Sequence, residues 1–169
     1  VFSGCGREYE YTYFNAKVTV DGDSYENVAL RKKGFLGSLS TVRPSLKVNF
    51  GKYEEGRTHA DMKRMTLNNN VSDSSNTHQC MAYALFTQVG AIAPRCNFAH
   101  VVVNGEDLGI YTHVESIKKP MLRRHFGDDS GNLYEGQGAD FTPNRVDLME
   151  AKTNELENDR SDLAELTAA

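Results

Sequence analysis

At 169 residues the chain has the length of one domain and can bury a core without metal or disulfide staples. Its 39 % hydrophobic and 25 % charged content is that of a globular protein, and no apolar run approaches the ~20 residues of a membrane-spanning helix. The net charge of −4 hides an asymmetry: residues 31–64 carry nine Lys/Arg against three acids, and residues 140–169 carry eight acids against three bases.

In chain order, Tyr9–Val20 has the period-two pattern and the aromatic and β-branched content of a strand. Asp21-Gly22-Asp23 is a turn signal and residues 25–33 read as the returning strand, so the domain opens on a β-hairpin. A loop with two glycines follows over 34–44. Ser45–Phe50 then alternates, with Leu46, Val48 and Phe50 on one face and Ser45, Lys47 and Asn49 on the other. Residues 51–64 are polar and irregular, and Met65–Leu67 makes a short strand before the Asn68-Asn69-Asn70 loop. Asp73, Ser74 and Ser75 are candidate caps for a helix in which Met81, Ala82, Leu85, Phe86 and Val89 recur at helical spacing and Gly90 supplies the stop. Phe98–Val103 and Leu108–Val114, joined at Asn104-Gly105, form a second hairpin. Ile117, Met121, Leu122 and Phe126 line a short basic helix that Pro120 enters and Gly127 closes. Asn132–Glu135 is a short strand. The rest is polar until Ser161 or Asp162 caps a last helix with little apolar surface, which reads as the start of a part cut away.

The basic segment argues for a local anion site rather than a nucleic-acid groove, with a solvated basic loop as the plainer reading. Within it, residues 31–47 place two glycines and three hydroxyl residues between two strands, with Lys47 on the non-core face of the second. Backbone N–H groups and hydroxyls of such a loop wrap phosphate oxygens while a strand lysine neutralises them. The spacing is neither a Walker pattern nor GxGxxG, so an ordinary hairpin loop with a snorkelling lysine remains the alternative. Cys5, Cys80 and Cys96 are too few for a disulfide framework. Cys80 and Cys96 are the candidate bridge, one on a helix and the other opening the strand that returns after it; the Cα separation decides it. His78, Cys80, Cys96 and His100 mimic a zinc spacing, but helix residues two apart diverge by ~200° and do not converge on one ion. His113 reads as a strand-surface residue rather than a catalytic base.

Taken together, residues 27–34, Ser45–Phe50, Leu67–Asn70 with Asp73, Gly90–Arg95, Val103–Glu115 and Gly131–Tyr134 resemble the CotH (spore-coat protein H) kinase-like family, in order and spacing over about residues 15–166. The resemblance implies an α+β fold: an atypical protein-kinase N-terminal lobe, an antiparallel sheet of hairpins with one packed helix, and a truncated C-terminal lobe. It implies one domain fragment over 1–169, with the sheet and helix over about 7–115 and a hinge and the start of the C-terminal part over 116–169. It implies ATP and Mg²⁺ as cofactors and a serine-rich protein as substrate of a transferase.

Carried over by position, Lys47 contacts the phosphates, Arg31, Lys33, Ser38 and Ser40 lie near them, and the segment through Glu115 and Ile117 is the hinge that holds adenine. Glu115 is assigned by position only, a surface or ion-paired carboxylate being its other reading. Two departures stand out. His78 occupies the place of a usual arginine, and the catalytic loop and metal-binding Asp are expected beyond residue 169. Asp128, Asp129, Asp147, Asp159 and Asp162 match neither motif, so no catalytic or metal residue is assigned within the chain and this chain alone is expected to be inactive. The rival expectation is a non-catalytic surface, adhesion or protein-binding module of the same fold. Nucleic-acid and membrane partners are not expected, and the cysteines lean towards a secreted protein.

Overall fold

The computed structural model describes residues 11–34, 38, 40–136, 138–142, 144–157 and 159–168. The expectations for Cys5 and for residues 9–10, 35–37 and 39 fall outside the described residues. The protein is α+β and divides into two compact units, Val1–Ser116 and Ile117–Ala169.

The first unit is a six-stranded antiparallel sheet. Its strands are β1 (Phe14–Val20), β2 (Asp23–Lys32), β3 (Leu46–Asn49), β4 (Arg64–Asn68), β5 (Cys96–Val103) and β6 (Glu106–Val114), in the order β1-β2-β3-β4-β6-β5. Two tight hairpins supply its ends. Asp21 and Gly22 have φ of 50° and 94°, and Asn104 and Gly105 have 53° and 85°, the left-handed backbone that two-residue turns between twisted strands require. The register sets Leu30 opposite Val48, Val48 opposite Met65 and Leu46 opposite Leu67, so the alternating apolar residues of three strands meet on one face. With Val28, Phe50 and Tyr111 they form the core, and Phe50 stacks edge-on against Tyr25 at 5.1 Å. Strand β1 begins at Phe14 rather than at Tyr9. Before it, the Tyr11 and Tyr13 rings each lie 5.3 Å from the Arg31 guanidinium.

Helix α1 (His78–Gln88) follows β4 and corrects the amphipathic reading: none of its residues is buried, and Met81, Leu85, Phe86 and Val89 face solvent. Helical spacing of apolar residues identifies a helix but does not say whether a neighbour covers the stripe. A covalent bond ties α1 to the sheet. Cys80 is bonded to Cys96 at the start of β5 with Cα atoms 5.3 Å apart, closing a 16-residue separation, a cross-link that stabilises by about 3 kcal/mol. Both sulfurs of the zinc-like set are thereby used. Of the three expected caps, Asp73 serves the helix. Thr77 precedes the helix without a side-chain cap, and the Asp73 carboxylate accepts the His78 N–H at 2.8 Å instead.

The second unit comprises α2 (Lys119–Phe126), β7 (Tyr134–Gly136), a 3-10 turn (Val146–Leu148), β8 (Met149–Ala151) and α3 (Ser161–Ala168). Pro120 stands in the first turn of α2, and Gly127 closes it with φ of 72°. Only Met121 of that helix is buried; Ile117 and Phe126 are exposed, against the face assigned to them. Strand β8 pairs with β7 and escaped the sequence reading. The Asp159 side chain accepts the Ser161 N–H that opens α3, Asp162 Oδ1 accepts the Leu163 N–H, and Leu163 is buried despite the helix's sparse apolar surface.

Candidate phosphate-binding site

Arg31 pairs with Lys47, and Lys47 with Thr66, across β2, β3 and β4. Strand alternation therefore puts Arg31 and Lys47 on the face opposite the apolar core, and Lys33, just past β2, continues the pairing through its N–H to the Ser45 carbonyl at 2.9 Å. There the Lys33 ammonium donates to Asn68 Oδ1 at 2.7 Å, the Asn68 amide donates to Gln79 Oε1 at 2.7 Å, and the Gln79 amide donates to the Tyr83 hydroxyl at 3.1 Å. This chain of hydrogen bonds joins the sheet to the first turns of α1. Beside it opens a polar pocket of 470 Å³, bordered by Lys33, Ser38, the Asn68–Asp73 turn, His78 and Gln79.

The loop that frames the pocket is tied down at its base. Gly34 turns at φ of 92°, and a Cβ there would stand 2.5 Å from that of Ser38, so only glycine permits the close approach. The Ser45 N–H donates to the Ser38 carbonyl at 2.9 Å, and the Asn69 amide donates to the Arg43 carbonyl at 2.6 Å. The Arg43 guanidinium lies 5.0 Å from the Tyr111 ring and donates to the Ile110 carbonyl. Ser40 serves the loop itself, its hydroxyl accepting the Arg43 N–H at 3.1 Å.

Asp73, the acid of this pocket, has its carboxyl below the usual range because the Ser75 hydroxyl, and then the His78 and Ser75 backbone N–H groups, donate to it. His78, in the place of the expected arginine, keeps its Nδ1 3.3 Å from that carboxylate. Asn70 sits at φ of 55°, its Oδ1 accepting the Thr112 hydroxyl at 2.9 Å while its buried Nδ2 has no partner among the described residues. A lysine, amide donors and an anchored turn are the donor set that holds a phosphate oxygen.

The expected site residues are not all brought together. Lys33 and Ser38 border the pocket; Arg31 and Lys47 share the sheet face of Lys33. Glu115 does not border it. Its Oε2 accepts the Arg95 N–H and its own N–H donates to the Arg95 carbonyl, both at 2.9 Å, closing the end of the β5–β6 ladder. Ile117 opens the second unit. Asn68, Asn70 and Gln79 were missed as site residues. The Asn triplet after a short strand was their only sequence signal.

Among the described residues no three His, Cys, Asp or Glu side chains come together as a metal site, and no magnesium ligand is assigned to them. Asp128 is held by Ser130, Asp129 by Arg123, and Asp162 by Asn132 and Tyr134. No step through the metal is derived.

An α+β domain with a curled antiparallel sheet, carrying a cationic face beside a polar pocket, defines the class to which the site belongs. The sequence model of a family described as CotH kinase protein matches residues 30–168, and the chain belongs to that family. No curated protein matches the chain.

Proposed function

We propose that the chain is the ATP-binding part of a CotH-type atypical Ser/Thr protein kinase domain, its sheet unit taking the role of the N-terminal lobe. The observation that carries the reading is the common face of Arg31, Lys33 and Lys47 beside the polar pocket, in a chain of a kinase-related family. Bound ATP supplies the phosphoryl group. Lys47 and Lys33 neutralise its oxygens, and Ser38 and the Asn68–Asn70 turn donate hydrogen bonds. The carboxylates that orient a substrate hydroxyl and hold magnesium belong, in this reading, to the intact protein beyond residue 169, and its substrate is a serine-rich protein. The Cys80–Cys96 bridge supports an oxidising, secreted setting. A second reading, a non-catalytic protein-binding module, draws support from the exposed Met81, Leu85 and Phe86 of α1.

Calorimetric titration of the intact protein with ATP tests the proposal. Lys33→Ala and Lys47→Ala are each expected to weaken binding about tenfold or more, the loss of a charge-assisted contact. Equal affinity in the parent and both variants overturns the phosphate role and leaves the binding module.

A further inference from the structure

The opposite face of the sheet holds a larger cavity that takes no part in the phosphate site. It measures 1010 Å³ and is bordered only by residues of the sheet unit. The central strands give it alternate residues, Leu46 and Val48 from β3 and Met65 and Leu67 from β4, as expected where only inward side chains reach a cavity. The outermost strands behave differently. Every residue from Ala16 to Val20 of β1, and every residue from Cys96 to Val103 of β5, borders it. Consecutive residues border a cavity only where it runs along the backbone edge. The sheet therefore curls until its two ends face each other across a slot, and neither end has a partner strand among the described residues.

We propose that this slot takes up an extended peptide as a seventh strand, paired to β1 on one side and to β5 on the other. Size selects this occupant first. Strand β1 has seven residues, and a strand of that length, at 3.3 Å per residue, 4.8 Å between neighbours and 10 Å between faces, fills about 1100 Å³. The backbone selects it second, because an inserted main chain is the partner that satisfies two rows of N–H and C=O groups at once. Charge selects it third. Lys17 and Arg95 on the lining are balanced by Asp21 and Glu115, so the complementary peptide carries no net charge, with small apolar side chains at alternate positions over Leu46, Val48, Met65 and Leu67.

A second copy of the sheet fits less well, because its edge strand is already held in its own sheet and pairs on one side only, whereas the slot presents two edges to one inserted strand. The topology adds a constraint. All neighbouring strands are antiparallel, so β1 and β5, at opposite ends of a six-strand order, run in opposite directions. The inserted strand is parallel to one and antiparallel to the other.

The test uses the full chain and a capped peptide of alternating valine and threonine, about seven residues long. Amide exchange is expected to slow in both 14–20 and 96–103 on addition of the peptide. N-methylation of every second peptide amide is expected to weaken binding about tenfold or more, through lost main-chain hydrogen bonds. The same peptide with glutamate at the alternate inward positions should bind at least about tenfold more weakly, an uncompensated charge having been buried. Protection of one edge only, undiminished binding of the N-methylated peptide, or no binding at about 1 mM peptide overturns the proposal. So does concentration-dependent dimerisation that protects the same amides without any peptide, which assigns the slot to a second copy.

Discussion

The two units solve the problem of burial in opposite ways. The sheet unit buries Val28, Leu46, Val48, Phe50, Met65, Leu67 and Tyr111 as one apolar cluster. The second unit buries few large apolar side chains, Met121, Met149 and Leu163 among them, and is laced by polar ones. Thr153 accepts the Leu133 N–H and donates to the Gly131 carbonyl, Asn154 donates to Ser130 and Asn132, and Asn132 and Tyr134 reach the Asp162 carboxylate. Hydrogen bonds from Asn132 and then Tyr134 hold that carboxyl below its usual range. The difference extends to the polar atoms left over. Among the described residues, the buried side-chain atoms without a partner belong to Arg43, Asn49, Asn70 and His113, all in the sheet unit. A unit held by apolar area tolerates unsatisfied atoms that a unit held by hydrogen bonds does not, since each costs about 1–3 kcal/mol against a smaller reserve.

The sharpest way to break the comparison is to cut each unit at its own kind of bond. Phe50→Ala removes a fully buried ring from the sheet core and is expected to cost about 3–5 kcal/mol, read by urea denaturation, with amide exchange rising first in β2, β3 and β4. Thr153→Ala removes one hydroxyl, 5 % exposed, that bridges two backbone groups. It is expected to cost about 1–3 kcal/mol, with exchange rising in β7 and β8. If Thr153→Ala proves neutral while Met149→Ala proves severe, the second unit is held by apolar packing after all and the contrast is lost.

The same contrast governs what was legible in the sequence. Strands β1 to β6 were readable because side-chain alternation and the Asp21-Gly22 and Asn104-Gly105 turns are local signals. The family was readable from motif order; of the cationic face only Lys47 was readable from strand alternation, Arg31 and Lys33 following from the family resemblance. What escaped was set by partners distant in sequence. The pairing of β8 with β7 follows from contacts such as Lys152 N–H to the Leu133 carbonyl, at 2.7 Å, and not from any apolar pattern in residues 149–151. The solvent-facing stripe of α1 reads in sequence like a buried one, because periodicity reports the helix and not its neighbour. The pocket residues Asn68, Asn70 and Gln79 are joined by a turn and a helix start whose meeting is a tertiary fact.

His113 is the smallest test and the most specific, being a titratable group on the apolar face of the sheet, in register with Leu67. It is half-buried: it pairs in register with Leu67 and Asn97, and its Nε2 is buried with no partner among the described residues. Burial, with a smaller contribution from the charge of His59, holds its pKa below the usual 6.5, and Glu115 lies two positions along the chain. A histidine whose folded pKa is depressed binds its proton first in the unfolded chain. Stability therefore rises with pH between the folded pKa and 6.5, and is lost as pH falls through that window. Carboxylates titrate lower, at about pH 4, so the two effects separate. Urea denaturation across this range is expected to show the slope in the parent and a flatter profile in His113→Gln, which has no proton to take up. Equal slopes in the two proteins would assign the acid sensitivity elsewhere, and the sheet unit would then hold its histidine at no cost.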